Sequence, residues 1–223
     1  ITFGFVVPRF KEKDKSFKSI KVFSVNQIKK LSFNFWAISI IATFLMMSRF
    51  SEVFLAFRAR DLGFKDFNLP IIFIIIDLVQ IFVAITFGKL SDYQICRKRL
   101  VFFGMVLFVF THYLFYQTHN IWSFLLGIVC IGVHMGITQG GLKAIIATYT
   151  KTSIRGCAFS VFNLMCGVGV LLGNFTAGCL SETYGLKYIF LFGVTCSFLA
   201  TVGVALLIMY EKSNNSQSIL ISS

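Results

Sequence analysis

From Ile121 to Leu142, from Cys157 to Leu180 and from Tyr188 to Tyr210 the chain runs without a single Lys, Arg, Asp or Glu. Each stretch is long enough to cross a hydrocarbon core of about 30 Å as a helix of roughly 20 residues. Three further runs approach that length. Leu31–Ser48 is uncharged and continues less cleanly to Phe57, Leu69–Phe87 is interrupted only by Asp77, and Leu100–Tyr116 contains His112. A chain that is 57% hydrophobic and 13% charged, with two Pro in 223 residues, is too apolar for a water-soluble domain of ordinary composition. Lipid is the solvent for most of it.

The runs are rich in Phe and Ile, but strands of a membrane barrel alternate polar and apolar residues over about 10 positions. These runs are continuous over about twice that. Backbone groups in lipid must be satisfied within the segment, so the fold class predicted is all-α, with six transmembrane helices joined by short polar turns. Ile1–Val7 is too short for the apolar region of a signal peptide, and no small-residue cleavage site follows it. The predicted domain plan is a leading segment over residues 1–30, the six-helix domain over 31–210, and a polar tail over 211–223 whose composition implies disorder.

Charge sets the orientation. If residues 9–30 face the cytoplasm, so do 88–100, 149–156 and the tail, and together these carry fifteen Lys and Arg. The opposite segments carry four: Arg58, Arg60, Lys65 and Lys187. That bias predicts an integral membrane protein with both termini cytoplasmic. The net charge of +12 has the same origin, spread over turns that face the bilayer surface, which argues against nucleic acid as a partner.

Two of these turns carry a resemblance. Gly88, Leu90, Ser91 and Asp92, followed by Arg97, Lys98 and Arg99, resemble the G-x-L-S-D-x-x-G-R-K/R turn of the major facilitator superfamily, in the copy between its eighth and ninth helices. Tyr93 stands where the family has Arg, and Ile95 where it has Gly. Residues 132–180 are similar to helices ten and eleven of bacterial members: Gly136, Thr138, Gln139, Gly140, Lys143, Arg155, Gly156, Phe159, Asn163 and Leu164 match, while Thr148 and Lys151 replace an Asp and a Pro. Residues 48–64 are similar to the outer end of the seventh helix. The resemblance implies the second half of a twelve-helix transporter of the bacterial inner membrane, with Ile1–Pro8 ending a sixth helix and residues 9–30 forming a basic central loop. Its partners would be the bilayer, a small-molecule substrate and an N-terminal six-helix half. It also implies a gate role for Gly88, Asp92, Arg97, Lys98, Arg99, Arg155 and Gly156. The first Met is at position 46, which agrees with a fragment or a split reading frame.

Ionisable residues inside a membrane are costly and mark function by default. Here they are Arg49, Glu52, Asp77, His112 and His134. Arg49 and Glu52, three apart, are expected to share a helix face and can pair with each other. Asp77, near the middle of its helix, can exchange a proton in a coupled transporter or pair structurally with a cation such as Arg49. His134 can reach a central cavity or make an interhelical hydrogen bond, and Gln139, Lys143, Asn163 and Asn174 can line the same space. Gly169 and Gly173 form a small-xxx-small pair that lets helices approach closely. No P-loop and no H-E-x-x-H motif is present, and the six Cys form no C-x-x-C pair. The expectation is a secondary transporter that moves a small solute or a drug-like compound, with no catalytic residues, no metal and no cofactor. The rival expectation is a membrane remnant or assembly subunit that transports nothing.

Overall fold

The computed structural model describes residues 25–90 and 94–222. Ser91, Asp92 and Tyr93 of the signature turn lie outside them, as do Ile1–Pro8 and residues 9–24 of the leading segment. The described chain is helical, with no strand among the described residues. Its helices are α1 (Val25–Ile28), α2 (Phe33–Ser48), α3 (Val53–Asp61), α4 (Leu69–Leu90), α5 (Gln94–Gln117), α6 (Ile121–Thr148), α7 (Arg155–Thr183) and α8 (Leu186–Ser222). Six spans are long and apolar enough to cross a membrane, as predicted, and α2 with α3 supplies the first of them.

Local chemistry marks the boundaries. The Ser32 hydroxyl caps α2 by accepting from the Phe35 N–H at 3.2 Å, and Asn120 caps α6 by accepting from the Ser123 N–H at 2.9 Å. Gly63 follows α3 with φ of 88°, a left-handed conformation that an L side chain resists, and lets the Phe64 N–H return to the Ala59 carbonyl at 3.1 Å. α8 runs on past the apolar stretch to Ser222, where composition implied disorder. No Gly or Pro follows Gly203 to stop it.

The first span is not one helix. α2 ends at Ser48, Arg49 leaves the helical region with φ −89° and ψ 58°, and α3 starts again at Val53. Neither Pro nor Gly lies in the break; side chains from other helices sustain it. A His112 ring nitrogen on α5 lies 3.1 Å from the Ser48 carbonyl, and the Asn174 amide oxygen on α7 accepts from the Ser51 N–H at 2.7 Å. Those two contacts take backbone groups that a continuous helix would pair internally.

α2 packs on α7 and α8, α6 packs on α4 and α5, and α5 packs on α8. Exchanging α2 with α6, α4 with α7 and α5 with α8 turns the α2–α7 contact into α6–α4 and α2–α8 into α6–α5. The α5–α8 contact maps onto itself, so these five main contacts have the pattern of two three-helix repeats, while the smaller α7–α8 contact has no comparable counterpart between α4 and α5 among the described residues. Lipid offers no hydrophobic drive to join helices, so small residues make the closest contacts. A Cβ added at Gly169 would lie 2.6 Å from the Thr43 carbonyl oxygen of α2, and one at Gly136 would lie 2.8 Å from the Gln80 carbonyl oxygen of α4. The spacing had pointed to the first of these interfaces.

The two outer faces differ. α5 and α8 expose apolar side chains such as Phe103, Phe110, Phe198, Val202 and Leu206. The α2/α3, α4, α6 and α7 side exposes Glu52, Asp77, Lys143 and Asn163 among its apolar residues.

Candidate functional site

Two cavities open on the polar side. One, of about 370 Å³, lies at the α2–α3 break, where Arg49, Glu52, His112 and Asn174 join Phe50, Phe108, Phe115 and Phe190 in its walls. The other, of about 420 Å³, lies between α4 and α6 toward their basic ends and includes Gln80, Gly88, Arg97, Gln139 and Lys143.

Arg49 is drawn into the bundle. Its Nη2 donates to the Thr138 hydroxyl at 3.2 Å, and its Nε is buried with no hydrogen-bond partner. The expected Arg49–Glu52 pair does not form: the ion pairs among the described residues are Arg58–Asp61, Arg60–Asp66 and Lys98–Glu211. The i, i+3 relation holds only along an unbroken helix, and the chain leaves the helix at Arg49. Glu52 sits exposed at the start of α3, near enough for its charge to act on Arg49 and Asp77. Asp77 is exposed midway along α4, on the face that this bundle leaves open.

The two membrane histidines are structural. His134 is fully enclosed, with Nδ1 at 2.8 Å from the Gly104 carbonyl and its ring stacked on Phe108 at 3.9 Å. Enclosure takes it out of any central cavity and makes the interhelical hydrogen bond its role. His112 is buried between the Ser48 and Phe108 carbonyls and supports the break. Gln139 accepts from the Gln80 amide at 3.2 Å, joining α6 to α4 beside the second cavity. Asn163 is exposed on α7, outside both cavities, along the same face as Asn174.

At the basic end, Lys98 of the signature turn pairs with Glu211 of α8. Glu211 also accepts from the Tyr149 hydroxyl and, at 3.5 Å, from the Asn34 amide. The Lys98 ammonium lies 5.1 Å from the centre of the Tyr149 ring, a cation–π distance. The ends of α2, α5 and α6 meet α8 at one carboxylate. Burial and the neighbouring carboxylate hold the Tyr149 phenol above its usual pKa, so it remains a donor at neutral pH. Tyr149→Phe is therefore expected to lower the folded bundle's stability by about 1 kcal/mol with helicity retained, measured by thermal unfolding in detergent. Arg97 lies 3.4 Å from the Ala144 carbonyl and Arg155 3.4 Å from the Ala147 carbonyl, both near the end of α6. Arg99 is exposed, and Gly88 and Gly156 have open space where a Cβ would stand.

Sequence reasoning missed Glu211, Tyr149 and Arg58. Glu211 reads as an ordinary charge flanking a span, and Arg58 as an outer anchor. Arg58 is in fact buried, donating to the Thr118 carbonyl at 2.5 Å. Its i, i+3 spacing to Asp61 was the one local signal. Of the five Cys whose side chains are described, Cys157 and Cys196 are buried and Cys179 is exposed; none of the five forms a disulfide.

The arrangement, a bundle with ionisable groups on an open face at membrane depth, agrees with the comparisons. The Quinolone resistance protein NorA of Staphylococcus aureus (strain N315) is 24% identical over 123 residues, which cover 55% of this chain and 31% of NorA. The Multidrug resistance protein MdtG of Proteus mirabilis (strain HI4320) is 28% identical over 166 residues, 71% of this chain and 41% of MdtG. The chain thus spans less than half the length of the curated relatives it matches. The family model described as Major Facilitator Superfamily matches residues 31–220, from just before α2 into the last turns of α8, and the chain belongs to that superfamily of membrane transporters.

Proposed function

We propose that the chain forms the C-terminal six-helix half of a proton-coupled secondary transporter working by alternating access, with its termini and basic turns in the cytoplasm of a bacterial cell. The observation that carries this reading is the open polar face. Asp77 and Asn163 are exposed within the apolar spans, where contact with lipid is expensive, so that face must meet another protein surface or a water-filled path. An N-terminal six-helix half, in the same chain or a separate one, is the partner that this superfamily's architecture supplies, with the substrate site between the halves. The drug-resistance names of the relatives support a small drug-like solute.

Proton coupling is assigned to Asp77 with Glu52, two carboxylates exposed on the open face. In vesicles holding the intact transporter, Asp77→Asn is expected to abolish the dependence of transport on an imposed pH gradient, while solute still equilibrates downhill. An unchanged response to the gradient would remove Asp77 from the coupling path.

One observation favours the second reading, a membrane remnant that moves nothing: Thr148 and Lys151 depart from the family pattern at one gate turn, as Tyr93 and Ile95 do at the other. An antibody against Glu211–Ser223 decides whether transport assays have an object. Under the transporter reading, source membranes give either a band near twice 25.2 kDa or one near 25.2 kDa together with a co-purifying half. A lone band at 25.2 kDa without a partner supports the remnant.

A further inference from the structure

The cavity at the α2–α3 break holds a cation that makes no ion pair among the described residues. The Arg49 side chain is half-buried and has five N–H donors, yet among the described residues its hydrogen bond goes to the Thr138 hydroxyl alone. No carboxylate pairs with it among the described residues, and its Nε has no partner. A guanidinium with a buried, unpartnered N–H and no ion-pair contact is costly, and native proteins supply a partner or keep the site for one that arrives. The guanidinium lies in the wall of a space of about 370 Å³. Other walls are aromatic: Phe50 meets Phe190 edge-on at 5.8 Å, and Phe115 meets Phe190 at 5.4 Å. Other polar side chains of the wall are already engaged: His112 lies between two backbone carbonyls, Asn174 accepts from the Ser51 N–H, Ser48 donates to the Leu45 carbonyl and the Ser51 hydroxyl accepts from the Val53 N–H. Glu52 stands more exposed at the mouth.

We propose that this cavity binds the oxyanion of a compact aromatic acid, with the Arg49 guanidinium receiving the carboxylate and the Phe walls receiving the ring. The inference rests on the transporter reading for its purpose and gives that reading a substrate class. It reaches behind the open face to α5 and α8, so every group it needs belongs to this chain. A planar guanidinium matches a carboxylate bidentately, which an amide of the same shape cannot reproduce. Glu52, a like charge at the mouth, weakens the anion's binding and disfavours dianions.

The test is equilibrium binding of 2-naphthoate and of its neutral isostere 2-naphthamide to the full chain in lipid nanodiscs. Wild type is expected to hold the acid roughly tenfold to a hundredfold more tightly than the amide, the range for a charge-assisted pair. Arg49→Gln should bring the affinities of acid and amide together, and Arg49→Lys should keep part of the preference. Glu52→Gln, at an exposed position, should tighten the acid alone, which serves as the test if the Arg49 variants fold poorly. Equal binding of acid and amide by wild type, or a preference that survives Arg49→Gln, overturns the proposal. Naphthoate that binds with the predicted preference but is never moved by the intact transporter would instead count against the transport reading and leave the site standing.

Discussion

Glu211→Ala is expected to cost the bundle about 3 kcal/mol, near the lower end of what breaking a buried ion pair costs, because Lys98 and Glu211 keep 24% and 19% side-chain exposure. The loss exceeds that of a surface pair for a structural reason. One carboxylate serves the Lys98 ammonium, the Tyr149 hydroxyl and the Asn34 amide, so its removal strands donors from α5, from the end of α6 and from α2 together. Thermal unfolding in detergent gives the size of the effect, and a double-mutant cycle with Lys98→Ala gives the share of the ion pair. A change within about 0.5 kcal/mol, the range of an ordinary surface substitution, would show that the cluster holds nothing together. The exposed pair Arg60–Asp66 serves as the comparison. It is bidentate at 2.6 and 2.7 Å but lies in solvent, where removal costs little.

Gly173→Leu is the second substitution expected to have a large effect. Any Cβ at position 173 collides with the backbone of Met47, and a backbone cannot swing aside as a side-chain tip can. α2 and α7 must separate, which undoes their packing and moves the end of α2 away from Asn174, the residue that sustains the break. Overpacking ordinarily costs about 1–3 kcal/mol, and a blocked helix–helix contact belongs at the top of that range or above it. Loss of folded protein on size-exclusion chromatography, with insertion into membranes intact, is the expected result. Gly178 on the same helix has open space at its Cβ position, so Gly178→Ala should be neutral or slightly stabilising. Equal damage at both positions would mean that helix α7 as a whole, not its contact with α2, is sensitive.

The two predictions differ in how visible their origin was. Gly169 and Gly173 stand four apart in an uncharged run, a spacing that already states close approach, and the structure supplied only the partner, α2. Glu211 carried no such sign. A single acid following a span looks the same whether it meets solvent or three donors from distant parts of the chain. The site divides likewise. Arg49, Glu52 and Asp77 stood out because charge in lipid needs a reason, and the structure puts Glu52 within electrostatic reach of the other two. The pairing expected of Arg49 and Glu52 failed because it presupposed a continuous helix. His134 looked as available as Asp77, yet it is enclosed and Asp77 is open. Rotation of a helix about its axis decides that, and an apolar run with no polar stripe does not reveal rotation.

The amino-acid sequence by itself determined the number of spans, their helical nature and the small-residue contact on α7. In lipid each segment must satisfy its own backbone and supply its own apolar length, so these properties are local. Only the tertiary structure decided where the first span breaks, which face stays open, what Glu211 joins and which cation makes no ion pair among the described residues. Each of those depends on a contact between residues far apart in the chain: Ser48 with His112, Ser51 with Asn174, Arg49 with Thr138, Lys98 with Glu211. Such contacts exist only once the helices have met, because the groups involved have no partner within their own segments.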